Sequence, residues 1–283
     1  MTQRDLLASF IAAYPAQPAT AFWRSIEIEA VASYGLPTGL GLDLGCGDGI
    51  LTDLLLRQAG PRSLVGVDLD PQETEAASRY PFYIRSHTCP GDAVPEPNGT
   101  FDFVLSNSVL EHIPDLEGTI GEVARVLRRG GSFLFTVPGP GFHRNLAGSM
   151  LPRVKRTDYL EMIDRRLAHH HYLSPVEWNE ICVRHGLVLD ACLGYLDKAQ
   201  TRRWENLSRL TGGLLYSIFG KTSRPIEIQR RLQMRETQNR RSLPDPVARF
   251  VAHVVSAGLH SHRTAPWLDP SEASCFLLAG RRN

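Results

Sequence analysis

Residues 40–50 read LGLDLGCGDGI, and this stretch decides the fold of the 283-residue chain. Five residues suited to a buried strand lead directly into a glycine-rich turn, and a helical pattern begins at Ile50. A strand, a turn and a helix N-terminus in this order form a ligand site at the carboxyl end of a parallel sheet. Glycine lets the backbone turn sharply and approach a ligand without an intervening Cβ. We therefore predict a ligand-binding turn here.

Around this turn, short apolar runs alternate with helical patterns. The runs lie at residues 39–44, 63–68, 82–86, 101–106 and 132–137, and the helical patterns at residues 50–58, 72–79 and 116–128. A capping-box pattern at Ser174 then predicts a helix to about residue 184. Further strands are predicted at residues 187–196 and 274–280. Alternating strands and helices indicate βαβ units, and so a parallel sheet with helices on both faces.

Two helix ends carry their own signals. Asp70 and Pro71 offer an N-cap followed by a proline at the first helical position. Residues 128–131 read RRGG, which predicts positive charge in a last helical turn with glycines just beyond it.

Residues 138–173 and 197–270 break the alternation and are predicted to be helical insertions. We accordingly divide the chain into an N-terminal helical cap (1–36), a core (37–196), a basic helical insertion (197–270) and a final core strand (271–283).

The second insertion is strongly basic. Residues 198–263 contain 13 Lys or Arg and four Asp or Glu, a balance of +9 in a chain whose net charge is +1. Such an asymmetry can attract acidic partners. Three interpretations stay open: an anionic acceptor such as a phosphorylated or nucleotide-linked sugar or a polysaccharide end, a peripheral contact with an acidic membrane surface, or a helical cap with a solvated basic face. Nucleic acid is disfavoured because stacking aromatic residues do not accompany the basic ones.

Composition is that of a globular protein, with 42% apolar and 22% charged residues. The five cysteines are scattered and odd in number, which fits neither a disulfide framework nor a zinc site and favours the cytoplasm. The sequence contains no apolar run of the roughly 18 residues that a membrane span needs.

The acids around the turn indicate the ligand. Asp43 and Asp48 flank the glycines, so a pyrophosphate would meet two negative charges there. S-adenosylmethionine (SAM) carries an ammonium and a sulfonium, which these carboxylates attract. Asp68 ends the second strand, where an acid suits hydrogen bonds to the two ribose hydroxyls. The alternative for Asp68 is a solvated loop acid; Asp70 is explained as a helix cap, whereas Asp68 has no comparable local role.

Five segments together resemble the successive motifs of class I SAM-dependent methyltransferases, most closely the small-molecule branch called type 11. They are residues 41–50 (GLDLGCGDGI), 64–71 (LVGVDLDP), 91–92 (GD), 99–113 (GTFDFVLSNSVLEHI) and 122–138 (EVARVLRRGGSFLFTVP). The resemblance covers roughly residues 35–140. It implies a Rossmann-like, doubly wound α/β fold with a seven-stranded sheet, mostly parallel with an antiparallel last strand.

The resemblance also implies a cofactor-binding set. Asp43, Gly45 and Gly47 would hold the methionine end of SAM, with Cys46 in the same turn, and Asp68 would hold the ribose. Leu69 would pack on the adenine, Asp92 and Ala93 would meet its amino edge, and Asn107 would lie near the methionine portion. Asp102 would be structural.

Three histidines are candidates for catalysis. Methyl transfer needs mainly proximity and alignment, and a general base helps only where the acceptor must lose a proton. His112 is a candidate base or a structural residue, and either His169 or His171 is a candidate base or acceptor-binding residue. Some methyltransferases bind a metal at a Glu-x-x-Glu-His run, but here Ser108 stands at the first Glu, so we predict no metal.

Arg24 and Glu27 lie on a predicted helix before the turn. Either this helix covers the cofactor, with Arg24 reaching the SAM carboxylate, or it is a cap with solvated charges. The predicted function is methyl transfer from SAM to O, N or C of a small-molecule or glycan acceptor. The alternatives are a non-catalytic SAM-binding scaffold of the same fold and, third, a dehydrogenase, which Asp43 and Asp48 disfavour.

Overall fold

The computed structural model describes residues 3–15, 17–209, 243–257 and 267–283. Seven strands form one sheet in the order β3-β2-β1-β4-β5-β7-β6. The strands are β1 (Leu40–Leu44), β2 (Ser63–Asp68), β3 (Tyr83–Thr88), β4 (Phe101–Asn107), β5 (Leu127–Pro138), β6 (Leu187–Tyr195) and β7 (Cys275–Arg282). The first five are parallel, and β7 runs antiparallel between β5 and β6. The predicted fold class is confirmed.

Helices cover both faces of this sheet. They are α1 (Gln3–Ala13), α2 (Pro18–Tyr34), α3 (Ile50–Ala59), α4 (Pro71–Ala77), α5 (Leu116–Val126), α6 (Pro140–Asn145), α7 (Arg156–Leu167), α8 (Pro175–Arg184), α9 (Lys198–Ser208) and α10 (Asp245–Ser256). A single 3₁₀ turn occupies Leu110–His112. None of the helices in these described ranges combines the length and the apolar character needed to cross a membrane.

The strands contribute side chains to two apolar cores, one on each face of the sheet, because successive side chains of a strand point to opposite faces. Leu42 and Leu44 of β1 pack in one core with α5 and α8, whereas Leu64 of β2 and Phe103 of β4 pack in the other with α1, α2 and α3. Close strand contact explains Gly41, where a Cβ would lie only 2.3 Å from the Phe103 ring. The central strands are therefore held rigidly beneath the glycine turn.

Two helix starts agree with the sequence. The Asp70 side chain accepts a hydrogen bond from the Gln72 amide, with Pro71 at the first position of α4. At α8, Ser174 and Glu177 form a reciprocal capping box. A cap of this kind stabilises a helix by about 1 kcal/mol.

The predicted end of α5 is wrong. That helix ends at Val126, and residues 127–131 belong to β5 rather than to a last helical turn. Leu127 is buried and pairs with Phe101 of β4, so this residue belongs to the sheet and not to the helix. Arg128 pairs with Asp102, 2.6 Å away, instead of with helix carbonyls. Asp102 also accepts a hydrogen bond from the Leu40 amide at 2.8 Å and so joins β4 to the start of β1.

Both predicted insertions contain helices in their described parts. Residues 138–173 hold α6 and α7, and residues 197–270 hold α9 and α10. Helix α9 lies against α2 and α6, and α10 lies against α1. The apolar stretch 214–219 and eight of the thirteen basic residues fall outside the described residues.

Candidate functional site

The glycine turn between β1 and α3 is built from left-handed backbone. Gly45, Gly47 and Gly49 have φ of +79°, +53° and +82°, a region that side chains rarely tolerate. A Cβ at Gly45 would lie 2.3 Å from Val109, so that position is also closed by packing. At Gly47 the nearest atom to a Cβ is 3.9 Å away. The turn is therefore open at Gly47, which leaves space for a ligand.

Hydrogen bonds fix the turn to β2. The Gly45 and Cys46 amides donate to the Val67 carbonyl at 2.8 and 2.9 Å. One oxygen of Asp68 accepts from the Gly47 amide at 3.0 Å, and the other accepts from the Asp70 amide at 3.0 Å. The idea that Asp68 has no local role is wrong, because its carboxylate anchors the turn. Both carboxylate oxygens retain further acceptor capacity for hydroxyl donors.

Two buried acids make the turn electronegative. Asp43 accepts hydrogen bonds from the Thr52 hydroxyl, at 2.6 Å, and from the Tyr83 hydroxyl. Burial raises the pKa of Asp43 to about 6, although these hydrogen bonds oppose the shift. Asp48 accepts from the Tyr14 hydroxyl, at 2.6 and 2.7 Å to its two oxygens, and from the Ile50 amide. Two carboxylates held beside one turn favour a positively charged ligand.

The other predicted cofactor residues lie along the same edge of the sheet. Leu69, directly after β2, is 71% exposed, which leaves its apolar surface available for contact with a planar base. Asp92 and Ala93, beyond β3, are exposed. Asn107 ends β4, is buried, and has a side-chain oxygen without a hydrogen-bond partner. A buried unpaired acceptor costs about 1–3 kcal/mol, which a ligand donor would recover.

Helix α2 carries a buried ionic network to this edge. Glu27 is fully buried and accepts hydrogen bonds from Arg24 at 2.5 Å, Ser108 at 2.6 Å, Thr136 at 2.5 Å and Tyr195 at 3.3 Å. The Arg24 guanidinium also approaches the Asn107 carbonyl at 3.5 Å. Burial alone would lower the pKa of Arg24, but the Glu27 carboxylate raises it, so Arg24 stays charged. The interpretation of α2 as a cap with solvated charges is therefore wrong.

Of the three candidate histidines, the structure brings two together. The His112 and His169 rings lie 5.0 Å apart between centroids. His171 instead makes a hydrogen bond through Nε2 to the Ile113 carbonyl, at 2.9 Å, and so serves to hold the segment after α7.

Glu111 joins the histidine pair and was missed by sequence reasoning as a site residue. It is 1% exposed, and neither carboxylate oxygen has a hydrogen-bond partner. Its Oε1 lies 3.9 Å from His112 Nε2. The sequence signal was its place as the second Glu of the Glu-x-x-Glu-His run, which we set aside because Ser108 stands at the first Glu. His169 is distant along the chain and gave no signal of its own.

Burial sets the electrostatics of this cluster. It raises the pKa of Glu111 to about 8, lowers the pKa of His112 and lowers that of His169 well below its usual value. Both imidazoles are therefore neutral at physiological pH. Glu111, His112 and His169 form a compact polar group next to the end of β4.

These observations fit SAM as a ligand. The turn is open at Gly47, carboxylates surround it, and Asn107 offers an unsatisfied acceptor for a donor such as an ammonium. The glycine turn, Asp68 and Asn107 thus lie at the carboxyl ends of β1, β2 and β4, and the group of Glu111, His112 and His169 lies next to the end of β4.

Comparison with known proteins agrees with this geometry. The profile of a family described as "Methyltransferase domain" matches residues 25–191, which is more than half of the chain. The chain belongs to this family. The prediction of a class I SAM-dependent methyltransferase is thereby confirmed at the level of family and fold.

Two relatives illustrate the similarity. A malonyl-[acyl-carrier protein] O-methyltransferase of Paenibacillus is 36% identical over 106 residues, 35% of this chain and 38% of that enzyme. A ubiquinone biosynthesis O-methyltransferase of Psychrobacter arcticus is 24% identical over 188 residues, 64% of this chain and 71% of that enzyme. The match thus spans well under half of the first relative and about seven tenths of the second.

Solved structures share the fold of this methyltransferase at low sequence identity. A SAM-dependent methyltransferase from Thermotoga maritima superposes with a TM-score of 0.54 and 13% identity, with all of both chains covered. A geranyl diphosphate methyltransferase solved with SAM gives a TM-score of 0.51 and 16% identity over 94% of this chain and 91% of the other. These similarities establish the fold of this methyltransferase.

Proposed function

We propose that this methyltransferase transfers a methyl group from SAM to a hydroxyl oxygen of a small-molecule acceptor. The observation that carries the proposal is the end of β4, where Asn107 and Glu111 are both buried and both have unpaired side-chain oxygens. Such groups are costly unless ligands satisfy them. Two unsatisfied groups, one at the end of β4 and one in the turn that follows it, suit two ligands, a cofactor and an acceptor.

The cofactor residues have separate tasks in this proposal. SAM supplies an electrophilic methyl group when it is bound. Asp68 accepts hydrogen bonds from the ribose while it holds the Gly47 amide, and Asn107 accepts from the ammonium group. Leu69 offers an apolar surface to the adenine, and Asp92 with Ala93 lies at its amino edge. Arg24, positioned by Glu27, lies near the end of β4, where it pairs with the SAM carboxylate.

An oxygen acceptor is supported by both chemistry and comparison. The neutral rings of His112 and His169 provide acceptor nitrogens for the proton of a hydroxyl, which must leave when its oxygen is methylated. The relatives described above carry names that assign them O-methylation. We extend that reaction type, and not their substrates, to this chain.

Three of the five described basic residues of the second insertion make contacts within the protein. Arg209 contacts Glu205 and the Gly148 carbonyl, Arg203 donates to the Ala257 carbonyl, and Arg249 pairs with Asp5. These three side chains hold segments of the protein together. In the described part of the insertion, this favours a structural cap over an anion-binding surface.

The test is a turnover assay on the full chain with SAM and matched acceptors. We expect catechols or phenols to gain the mass of one methylene, and amines of the same shape to gain none. Replacing Asn107 with Ala should reduce SAM affinity by about 10-fold or more, the cost of one charge-assisted hydrogen bond. Asn98→Ala is the control, because Asn98 is exposed and bonds only Arg125 among the described contacts. Methylation of the amines alone would overturn the oxygen assignment.

A further inference from the structure

The two clustered histidines share one tautomer. His112 Nδ1 lies 3.0 Å from the Ala168 carbonyl. A carbonyl only accepts, so the proton of the neutral ring is on Nδ1. His112 Nε2 therefore carries a lone pair, and this is the nitrogen that lies 3.9 Å from Glu111 Oε1.

His169 has the same tautomer, with its proton on Nδ1, and a chain of two hydrogen bonds shows this. Its Nδ1 lies 2.9 Å from the Tyr172 hydroxyl. That hydroxyl donates its own proton to Asp164 at 2.6 Å, so it must accept from His169. His169 Nε2 is then the nitrogen with the lone pair. Metal-binding histidines typically donate a hydrogen bond from the other ring nitrogen, the one that does not bind the metal, to a carbonyl or a carboxylate-linked group. His112 and His169 both have this arrangement.

Glu111 completes a set of three donors. One ligand atom from each of Glu111, His112 and His169 lies within 4.8 Å of the others. The Glu111 oxygens have no hydrogen-bond partner, so they are available to a ligand. A tetrahedral site with bonds of 2.0–2.2 Å needs donor atoms about 3.4 Å apart, which small side-chain rotations would provide.

We propose that Glu111, His112 and His169 bind one divalent transition-metal ion such as Zn²⁺. Two imidazoles and one carboxylate are donors that suit zinc and its neighbours rather than magnesium or calcium. The nearby positive charge of Arg24 is balanced by Glu27, 2.5 Å away, so it does not repel an ion at this site strongly. A bound cation would itself favour the ionised form of Glu111.

This proposal departs from the sequence-based expectation that no metal binds. That expectation considered only the run before His112, in which Ser108 replaces a carboxylate. The Ser108 hydroxyl donates to Glu27 at 2.6 Å and is not a donor to this group. The third donor comes from His169, which the chain brings back after α7.

The metal would leave at least one coordination position open. A hydroxyl oxygen in that position loses its proton to water more readily, because the cation stabilises the resulting negative charge. This role rests on the proposed function: the acceptor hydroxyl would bind the metal and lose its proton, and its oxygen would form the bond to the methyl group while the S–CH3 bond of SAM breaks. The electron pair of that bond goes to sulfur, and the demethylated cofactor is the leaving group. Metal binding itself does not depend on turnover and can be measured alone.

The test is titration of the chelator-treated, tag-free full chain with Zn²⁺ by calorimetry and with Co²⁺ by visible absorption. We expect one saturable site with a Co²⁺ spectrum that lacks thiolate bands, which separates it from binding at cysteines. Glu111→Gln and His169→Gln should each weaken binding at least 100-fold. Tyr172→Phe, which removes the acceptor for His169 Nδ1, should weaken it by about 10–100-fold. His171→Gln is the matched control and should bind as the wild type does.

Circular dichroism and melting temperature verify that each variant folds. Absence of a one-to-one site in the wild type, or unchanged affinity in both ligand variants, overturns the proposal. A wild type that binds Zn²⁺ at these residues but methylates phenols equally well without metal overturns the activating role of the ion and leaves the proposed function standing, with a histidine as base. A wild type that binds Zn²⁺ at these residues but not SAM upholds the metal site and overturns the proposed function.

Discussion

The Asp68 carboxylate accepts a hydrogen bond from the Gly47 amide, with 3.0 Å between the oxygen and the nitrogen. This contact joins the end of β2 to the turn after β1 across 21 positions of the chain. The same residue thus positions the turn and, in our proposal, binds the ribose. Loss of its charge should affect both tasks together.

Asp68→Asn should weaken SAM binding by 10- to 100-fold. The two carboxylate oxygens accept hydrogen bonds from two different backbone amides. An asparagine would place its NH₂ group against one of these amides, where a donor cannot accept a hydrogen bond. A hydrogen bond to a charged group is worth about 1.5–3 kcal/mol. Calorimetry measures the affinity. Asp70→Asn is the control, since asparagine also caps helices well; equal losses in the two variants would contradict this account.

Gly47→Ala should fold but bind SAM at least 10-fold more weakly. A Cβ there meets no protein atom within 3.9 Å and would project into the space assigned to the ligand. The left-handed backbone costs alanine about 1–2 kcal/mol. Gly186→Ala is a control for backbone strain, because Gly186 has φ of +75° and a Cβ there would meet no described atom within 4 Å. If both variants lose stability alike and neither loses affinity, the open side of the turn is not the ligand site.

Asp43→Asn should stabilise the protein and weaken SAM binding. Burial raises the pKa of Asp43 from 3.8 to about 6, so the folded protein holds a proton on this carboxyl more tightly than the unfolded chain does. This preference stabilises the folded protein fully below about pH 4, and the stabilisation is lost as the pH rises through 6. The shift corresponds to roughly 3 kcal/mol. In urea unfolding, the variant should exceed the wild type by about 1–3 kcal/mol at pH 8 and by much less at pH 4.5. A variant equally destabilised at both pH values would disprove the assignment.

Glu27→Gln should destabilise the protein by about 1–3 kcal/mol, because it removes the charged partner of the partly exposed Arg24 and weakens the hydrogen bonds that converge on a buried carboxylate. Four donors converge on the Glu27 carboxylate. Glu29→Gln, two positions along the same helix, is the control and should change stability little, since its side chain is only half-buried. Chemical denaturation measures both. A loss below 1 kcal/mol at Glu27 would show that the network is not a main support of α2.

The glycine turn and its acids could be predicted from sequence because they are local. A strand, a turn and a helix are adjacent along the chain, and the position of Asp68 follows from the length of one βα unit. The parallel strands could be predicted equally well, because each buried strand appears in the sequence as a run of apolar residues.

Other features depend on contacts between distant residues and could not be read in this way. The RRGG stretch looks like a helix end, yet burial of Leu127 and the partner Asp102 place it in β5. Glu27 looks like a surface charge until Ser108, Thr136 and Tyr195 are brought to it. His169 meets Glu111 and His112 only because the segment after α7 returns to the end of β4.

The central claim is that the turn at residues 45–49 binds SAM, and a calorimetric titration of the full chain tests it most directly. We predict saturable one-to-one binding of SAM and of its demethylated product to the wild type and to Gly186→Ala, with at least 10-fold weaker binding to Gly47→Ala. No saturable heat with either compound in the folded wild type would contradict the claim.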